Sequence, residues 1–261
     1  MLGAIAGDVI GSVYERLDMK DPAFEPLFDP AARPTDDTVL TCAVAEWVLR
    51  GAGDDLVDRL HDWFARFPQA GYGGTFIKWA AHRLREPYHS WGNGSAMRVS
   101  PVGFAFDTLE ETLQQAKRSA EVTHNHPHGI AGAKAVAGCV FLARTGHAKD
   151  EIREFATNRF GYDLSRSLDA IRPDYCFDVS CQGSVPEAII AFLESAGWED
   201  AVRKAISLGG DSDTIAAIAG GIAGPFYGGV PTGIRAEVEA RLPTPVRTIL
   251  LEFVSAFPSA G

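Results

Sequence analysis

Apolar residues recur every three to four positions through nearly the whole chain, and this repeat fixes what the chain can build. In "DDTVLTCAVAEWVLR" the pairs Val39/Leu40, Ala43/Val44 and Trp47/Val48 form one stripe with a step of four. Leu56, Val57, Leu60, Trp63, Phe64 and Phe67 form a second, and the stripe from Leu109 to Ala120 a third. Further stripes run from Ile130 to Phe141, Val185 to Ala196, Ile215 to Phe226 and Val246 to Phe257. A step of three to four puts these side chains on one face of an α-helix, whereas a strand would need strict alternation. No convincing alternation occurs, and short runs such as "FDVSC" are too weak to count. The expectation is an all-α protein of about ten helices. Gly- and Pro-rich connectors such as "DPAARP", "EPYHSWGNG" and "YGGVPTG" separate them. With no shift of composition along 261 residues, residues 1–261 are expected to form a single domain.

Charge narrows the partners. A formal net charge of −10 argues against broad binding to nucleic acid or to anionic membranes, though it leaves room for a small anion held by local features. The start "MLGAIAGDVIGSVYE" has no basic segment and is interrupted by Asp8, so no signal peptide is expected. No apolar run reaches the length of a membrane span. Cys42, Cys139, Cys176 and Cys181 form no CxxC pair and are expected as reduced, buried thiols, which fits a cytoplasmic protein.

Two carboxylate clusters carry the chemistry. "PTDDTVL" puts Thr35, Asp36 and Asp37 at the start of one helix, and "GGDSDT" puts Asp211, Asp213 and Thr214 at the start of another. Helix capping accounts for one acid at each place, since Asp and Thr satisfy free N–H groups at the positive end of the dipole. It accounts less well for two adjacent acids at each of two helix starts, because like charges repel unless a cation neutralises them. The second reading is therefore a metal site. Its donors are all oxygen, which suits Mg²⁺, Mn²⁺ or Ca²⁺ and disfavours zinc. Gly209 and Gly210 permit a sharp turn into the second helix, and the small residues that follow let that helix pack deep.

Other motifs are weaker alone. "SWGNGSAMR" exposes backbone N–H groups around Gly92 and Gly94 and can cradle phosphate oxygens, or serve as an ordinary loop; "GYGGTF" is similar. "THNHPHG" carries His124, His126 and His128, but its spacing and Pro127 indicate a helix entry rather than a zinc cluster, with His124 alone as a ligand contact.

Taken in order, "GDVIGSVYE", "TDDT", "GYGG", "GNGSAMR", "THNHPHG", "SVPEAI" and "GGDSDT" resemble the ADP-ribosylglycohydrolase family, which includes the dinitrogenase-reductase-activating glycohydrolases. The resemblance spans nearly nine-tenths of the chain. It implies an all-α orthogonal bundle with a central binuclear site holding two divalent cations, Mg²⁺ or Mn²⁺. Thr35, Asp36, Asp37, Asp211, Asp213 and Thr214 are then the metal ligands. Glu15, Asp36, Asp37 and Asp211 form the catalytic group, with Glu15 on a mobile segment. Ser90, Trp91, Gly92, Asn93, Gly94 and Ser95 match the loop for pyrophosphate and ribose, and His124 lies near the adenosine side. No carboxylate lies between Tyr88 and Arg98, which leaves proton handling to Glu15 or a metal-bound hydroxide.

The implied activity is hydrolysis at C1″ of the distal ribose, releasing ADP-ribose from an ADP-ribosylated protein or other acceptor. A nucleic acid would enter only as a modified substrate, and a membrane not at all. Two rivals stand beside this reading. One is a non-catalytic ADP-ribose binder or structural protein, since the family includes a lens crystallin. The other is a metal phosphohydrolase acting on the pyrophosphate.

Overall fold

A computed structural model describes residues 1–258. These residues form fifteen helices and no strand. In chain order they are α1 (Leu2–Gly11), α2 (Asp36–Leu49), α3 (Leu56–Arg66), α4 (Gly74–Ala81), α5 (Gly94–Met97), α6 (Val102–Ala105), α7 (Leu109–Glu121) and α8 (Pro127–Arg144). There follow α9 (Lys149–Phe160), α10 (Leu168–Ile171), α11 (Cys181–Leu193), α12 (Trp198–Ile206), α13 (Ser212–Phe226), α14 (Thr232–Arg241) and α15 (Thr244–Ala256). The all-α expectation holds, with more helices than the stripes foretold. The difference comes largely from α5, α6 and α10, single turns of four residues each. A stripe needs at least two turns to be legible. Among the described residues no helix is long and apolar enough to cross a membrane.

Helix α13 is the axis of the structure. Helices α1, α8, α11 and α12 all pack on it, and every residue from Ser212 to Gly224 is buried. All ten residues of α1 are buried too. The two helices meet backbone to backbone because Gly3, Gly7 and Gly11, four apart, share one face of α1. A Cβ on Gly7 would fall 2.1 Å from the carbonyl oxygen of Ala216, and one on Gly11 would fall 2.6 Å from Cα of Asp213. Trp198 of α12 seals this seam by donating its indole N–H to Gly220 O at 3.0 Å.

The remaining elements tie loops to this axis. Lys20 Nζ, in the segment after α1, donates to Leu208 O at 2.6 Å and Tyr175 O at 2.8 Å. The chain then turns into α13 through Gly209 and Gly210, whose φ values of 75° and 71° are the left-handed region that glycine adopts without cost. A single bridge pairs Gly92 with Ser180, and so joins the "GNG" turn before α5 to the segment leading into α11. Three of the four cysteines are buried as expected. Cys176 is the exception: it is exposed in the turn-rich connector between α10 and α11, where no apolar stripe draws it inward.

Candidate metal centre and ligand cleft

The N-termini of α2 and α13 open at one place, and α1 passes beside both. Thr35 is the N-cap of α2; its hydroxyl oxygen accepts from the Asp37 N–H at 3.3 Å. That hydroxyl in turn donates to Asp8 Oδ1 at 2.6 Å. Asp8 Oδ2 accepts from the backbone N–H groups of Thr35 at 3.0 Å and Thr38 at 3.1 Å, and from the Thr38 hydroxyl. A carboxylate of α1 thus caps α2 from outside and fixes the helix start that presents Asp36 and Asp37.

One oxygen each of Asp8, Asp37 and Asp213 lies within 4.8 Å of the others, and all three residues are buried. Asp37 Oδ2 accepts from the Thr214 hydroxyl at 3.2 Å, whereas its Oδ1 is buried and has no hydrogen-bond partner among the described residues. Asp213 Oδ1 accepts from the Thr214 N–H at 3.0 Å. Asp211 Oδ2 accepts from the Asn93 amide at 2.7 Å, and the same amide reaches Ser184 Oγ at 3.0 Å. Asn93 therefore locks the glycine-rich turn onto the mouth of α13.

The electrostatics are one-sided. Burial pushes the carboxyl groups of Asp37 and Asp213 well up; the charge of Asp213 adds to it for Asp37, and that of Asp211 for Asp213. Asp36 rises to about 8, from burial first and the charge of Asp8 second. Asp8 and Asp211 also rise through burial, against the pull of their hydrogen bonds. Among the described residues none of these five acids forms an ion pair with a lysine, arginine or histidine. An all-oxygen donor set with an orphaned buried carboxylate oxygen is what a hard divalent cation fits.

Asp36, Asp37, Asp211 and Asp213 lie on the wall of a cleft of about 520 Å³, with Asp8 outside its lining. The cleft brings together all six residues expected as ligands, Thr35, Asp36, Asp37, Asp211, Asp213 and Thr214. Glu15, Ser90, Gly92, Asn93, Gly94 and His124 line it as well. Glu15 is half-buried, and burial first and Asp211 second raise its carboxyl. His126 is the N-cap of α8, so "THNHPHG" is a helix entry, and His124 alone of its three histidines reaches the cleft.

Two expected residues stand apart. The Trp91 side chain is 57% exposed and leans on the His126 ring outside the cleft lining. Ser95 is fully buried in α5, and its hydroxyl donates to Gly129 O at 2.7 Å, holding α5 to α8. Asp8 was not expected. Its signal was present, however, as the only charge in "MLGAIAGDVIG". A lone acid inside a fully buried helix needs partners, and here it has four donors.

An all-helical scaffold with a buried carboxylate cluster under a ligand-sized cleft is the ADP-ribosylglycohydrolase type of fold. The family model described as ADP-ribosylglycohydrolase matches residues 1–258, and the chain belongs to that family. It is similar to the ADP-ribosylhydrolase ARH3 of Homo sapiens, 28% identical over 309 residues, with 87% of this chain and 84% of the relative covered. The mouse protein of that name is 29% identical over 309 residues, covering 87% and 82%. The ADP-ribosylarginine hydrolase Tri1 of Pseudomonas putida is 25% identical over 276 residues, covering 87% and 69%. A solved structure, "ADP-ribosylglycohydrolase-related protein complex", shares the fold with a TM-score of 0.68 at 24% identity, covering 97% of this chain and 96% of its own.

Proposed function

We propose that this protein is a divalent-cation-dependent hydrolase that cuts the bond at C1″ of the distal ribose and releases ADP-ribose from an ADP-ribosylated protein side chain. The observation that carries this reading is the orphaned Oδ1 of Asp37, buried among Asp8 and Asp213 at the wall of the cleft. The ADP-ribosyl substrate is supported by membership of the family and by its similarity to an ADP-ribosylhydrolase and an ADP-ribosylarginine hydrolase.

Asp8, Asp37 and Asp213, with Thr35, Asp36, Asp211 and Thr214 around them, would hold two cations, Mg²⁺ or Mn²⁺. Cations so held orient ribose hydroxyls and lower the pKa of water. The protein's own groups divide the remaining work. Asn93, anchored on Asp211 and Ser184, fixes the glycine-rich turn against the cleft, while the turn's Gly92 and Asn93 N–H groups are themselves held by Ser90 Oγ and Val179 O. Cleavage of a glycosidic bond builds positive charge at the anomeric carbon, and the acidic wall opposes that charge. Glu15 sits at the cleft edge without a fixed hydrogen-bond partner, and its raised carboxyl suits it to hand a proton to the departing acceptor or take one from water.

The test is a panel of proteins ADP-ribosylated on arginine or serine, incubated with the pure protein plus Mg²⁺, Mn²⁺ or EDTA. Free ADP-ribose with either metal and none with EDTA is expected. AMP as the product would instead indicate attack on the pyrophosphate. Binding of ADP-ribose with no release from any acceptor would leave a non-catalytic binder.

A further inference from the structure

Arg98 is fully buried, yet no carboxylate among the described residues pairs with it. A buried guanidinium normally has such a partner, because an unpaired charge is costly to desolvate. Here Nη2 donates to Ser119 O at 2.9 Å and to Thr123 Oγ1 at 2.8 Å, while Nε and Nη1 have no hydrogen-bond partner among the described residues. Burial lowers Arg98 to about 10, so it remains a cation at neutral pH.

The hydroxyl of Thr123 is the pivot. It offers two lone pairs and one hydrogen. Arg98 takes one lone pair. A guanidinium only donates, so among the described residues the one hydrogen-bond partner that can take the hydroxyl hydrogen is His124 Nδ1, 2.7 Å away. A nitrogen that accepts is bare, so the ring proton sits on Nε2. Burial and the charge of Arg98 both hold His124 well below the usual histidine range, so the ring stays neutral. Nε2 faces the glycine-rich turn: a Cβ on Gly94 would lie 3.1 Å from it and one on Gly92 would lie 3.7 Å away. With glycine at both places the space in front of the N–H is open to the cleft.

We propose that Arg98 and Thr123 are positioning residues that fix His124 as the Nε2–H tautomer, so that it donates one hydrogen bond to a ligand oxygen lying over Gly92 and Gly94. That the oxygen belongs to an ADP-ribosyl group rests on the function proposed above; the tautomer does not. Arg98 thereby acts on the ligand without touching it. Its charge is spent on orienting a neutral donor that neither loses its proton nor repels the cations nearby.

Histidine-selective long-range ¹H–¹⁵N spectra of the Mg²⁺-supplemented protein, between pH 6 and 7.5, test the relay directly. The His124 resonances are assigned by their loss in His124→Gln. They should show a bare Nδ1 and a protonated Nε2 throughout, in the wild type and in Thr123→Ser. In Thr123→Val the Nδ1–H form should appear. ADP-ribose binding by calorimetry should weaken about tenfold in Thr123→Val and remain within about threefold in Thr123→Ser, the size of one lost hydrogen bond. An Nδ1–H ring or an imidazolium in the wild type overturns the proposal, and this readout needs no variant to fold. Unchanged spectrum and affinity in a folded Thr123→Val overturn it too. If ADP-ribose fails to bind the wild type, the functional reading falls while the spectra still judge the relay.

Discussion

Gly7 lies so close to Ala216 that a Cβ on it would come within 2.1 Å of the Ala216 carbonyl oxygen. This contact sets the depth at which Asp8, one residue further on, meets Asp213 across the seam of α1 and α13. The carboxylate cluster exists because two helix backbones touch.

Gly7→Ala must therefore push α1 off α13. The neighbouring atoms are backbone and cannot rotate away, so the cost is expected at the upper end of overpacking, about 3 kcal/mol or more. Urea unfolding measures it. Mn²⁺ affinity should fall in parallel, because Asp8 moves with the helix. A variant as stable as the wild type would show that the seam is looser than described.

Asp37→Asn separates the two jobs of the cluster. It removes a buried acid that must take up a proton for the chain to fold without metal, so without metal the variant should melt higher than the wild type. It also removes the orphaned oxygen, so Mn²⁺ binding should weaken about 100-fold or more. Melting curves with Mg²⁺ and with EDTA read both effects. A variant that keeps the wild-type rise in Tm on adding Mg²⁺ would place the cation elsewhere.

Stability should depend on pH in opposite ways with and without metal. Burial keeps protons on Asp36, Asp37 and Asp213 in the folded chain at pH values where the unfolded chain has lost them. The folded state thus binds more protons between the ordinary carboxylate range and the Asp36 value of about 8. Stability of the metal-free protein then falls as pH rises through that window. In EDTA, Tm at pH 6 should exceed Tm at pH 8 by about 4 °C or more. With saturating Mg²⁺ the difference should shrink or reverse, since the cation binds the ionised acids.

Glu15→Gln should keep the ligand and lose the chemistry. Its carboxyl forms no hydrogen bond or ion pair among the described residues, so ADP-ribose affinity is expected within about threefold of wild type. Turnover should drop by about 10²–10⁴-fold, the usual weight of a general acid or base. Equal losses in both would instead make Glu15 a binding group.

The order in which structure became legible follows from what each residue does locally. The helices were readable because a stripe from Ile215 to Phe226 repeats the same burial demand turn after turn. Thr35, Asp36, Asp37, Asp211, Asp213 and Thr214 stood out because two acids at one helix start exceed what capping needs. Asp8 was harder to read. Its partners are Thr35 and Thr38 on another helix, and nothing local announces them. The glycines at 3, 7 and 11 have meaning only against α13. Trp91 and Ser95 show the opposite limit: a motif gives the path of the backbone through "SWGNGS" but not the side to which each residue points. Ser90, Gly92, Asn93 and Gly94 line the cleft, whereas Trp91 faces solvent and Ser95 the α5–α8 contact.

The seam between α1 and α13 also orders events during synthesis. Helix α1 leaves the ribosome about 200 residues before the helix it must touch is made, a wait of about 10–40 s at ordinary elongation rates. All that time an apolar helix with an acid at its centre has no partner for its glycine face. The nascent chain therefore cannot assemble this site piecemeal, and any cation it needs has to be captured after α13 has been made.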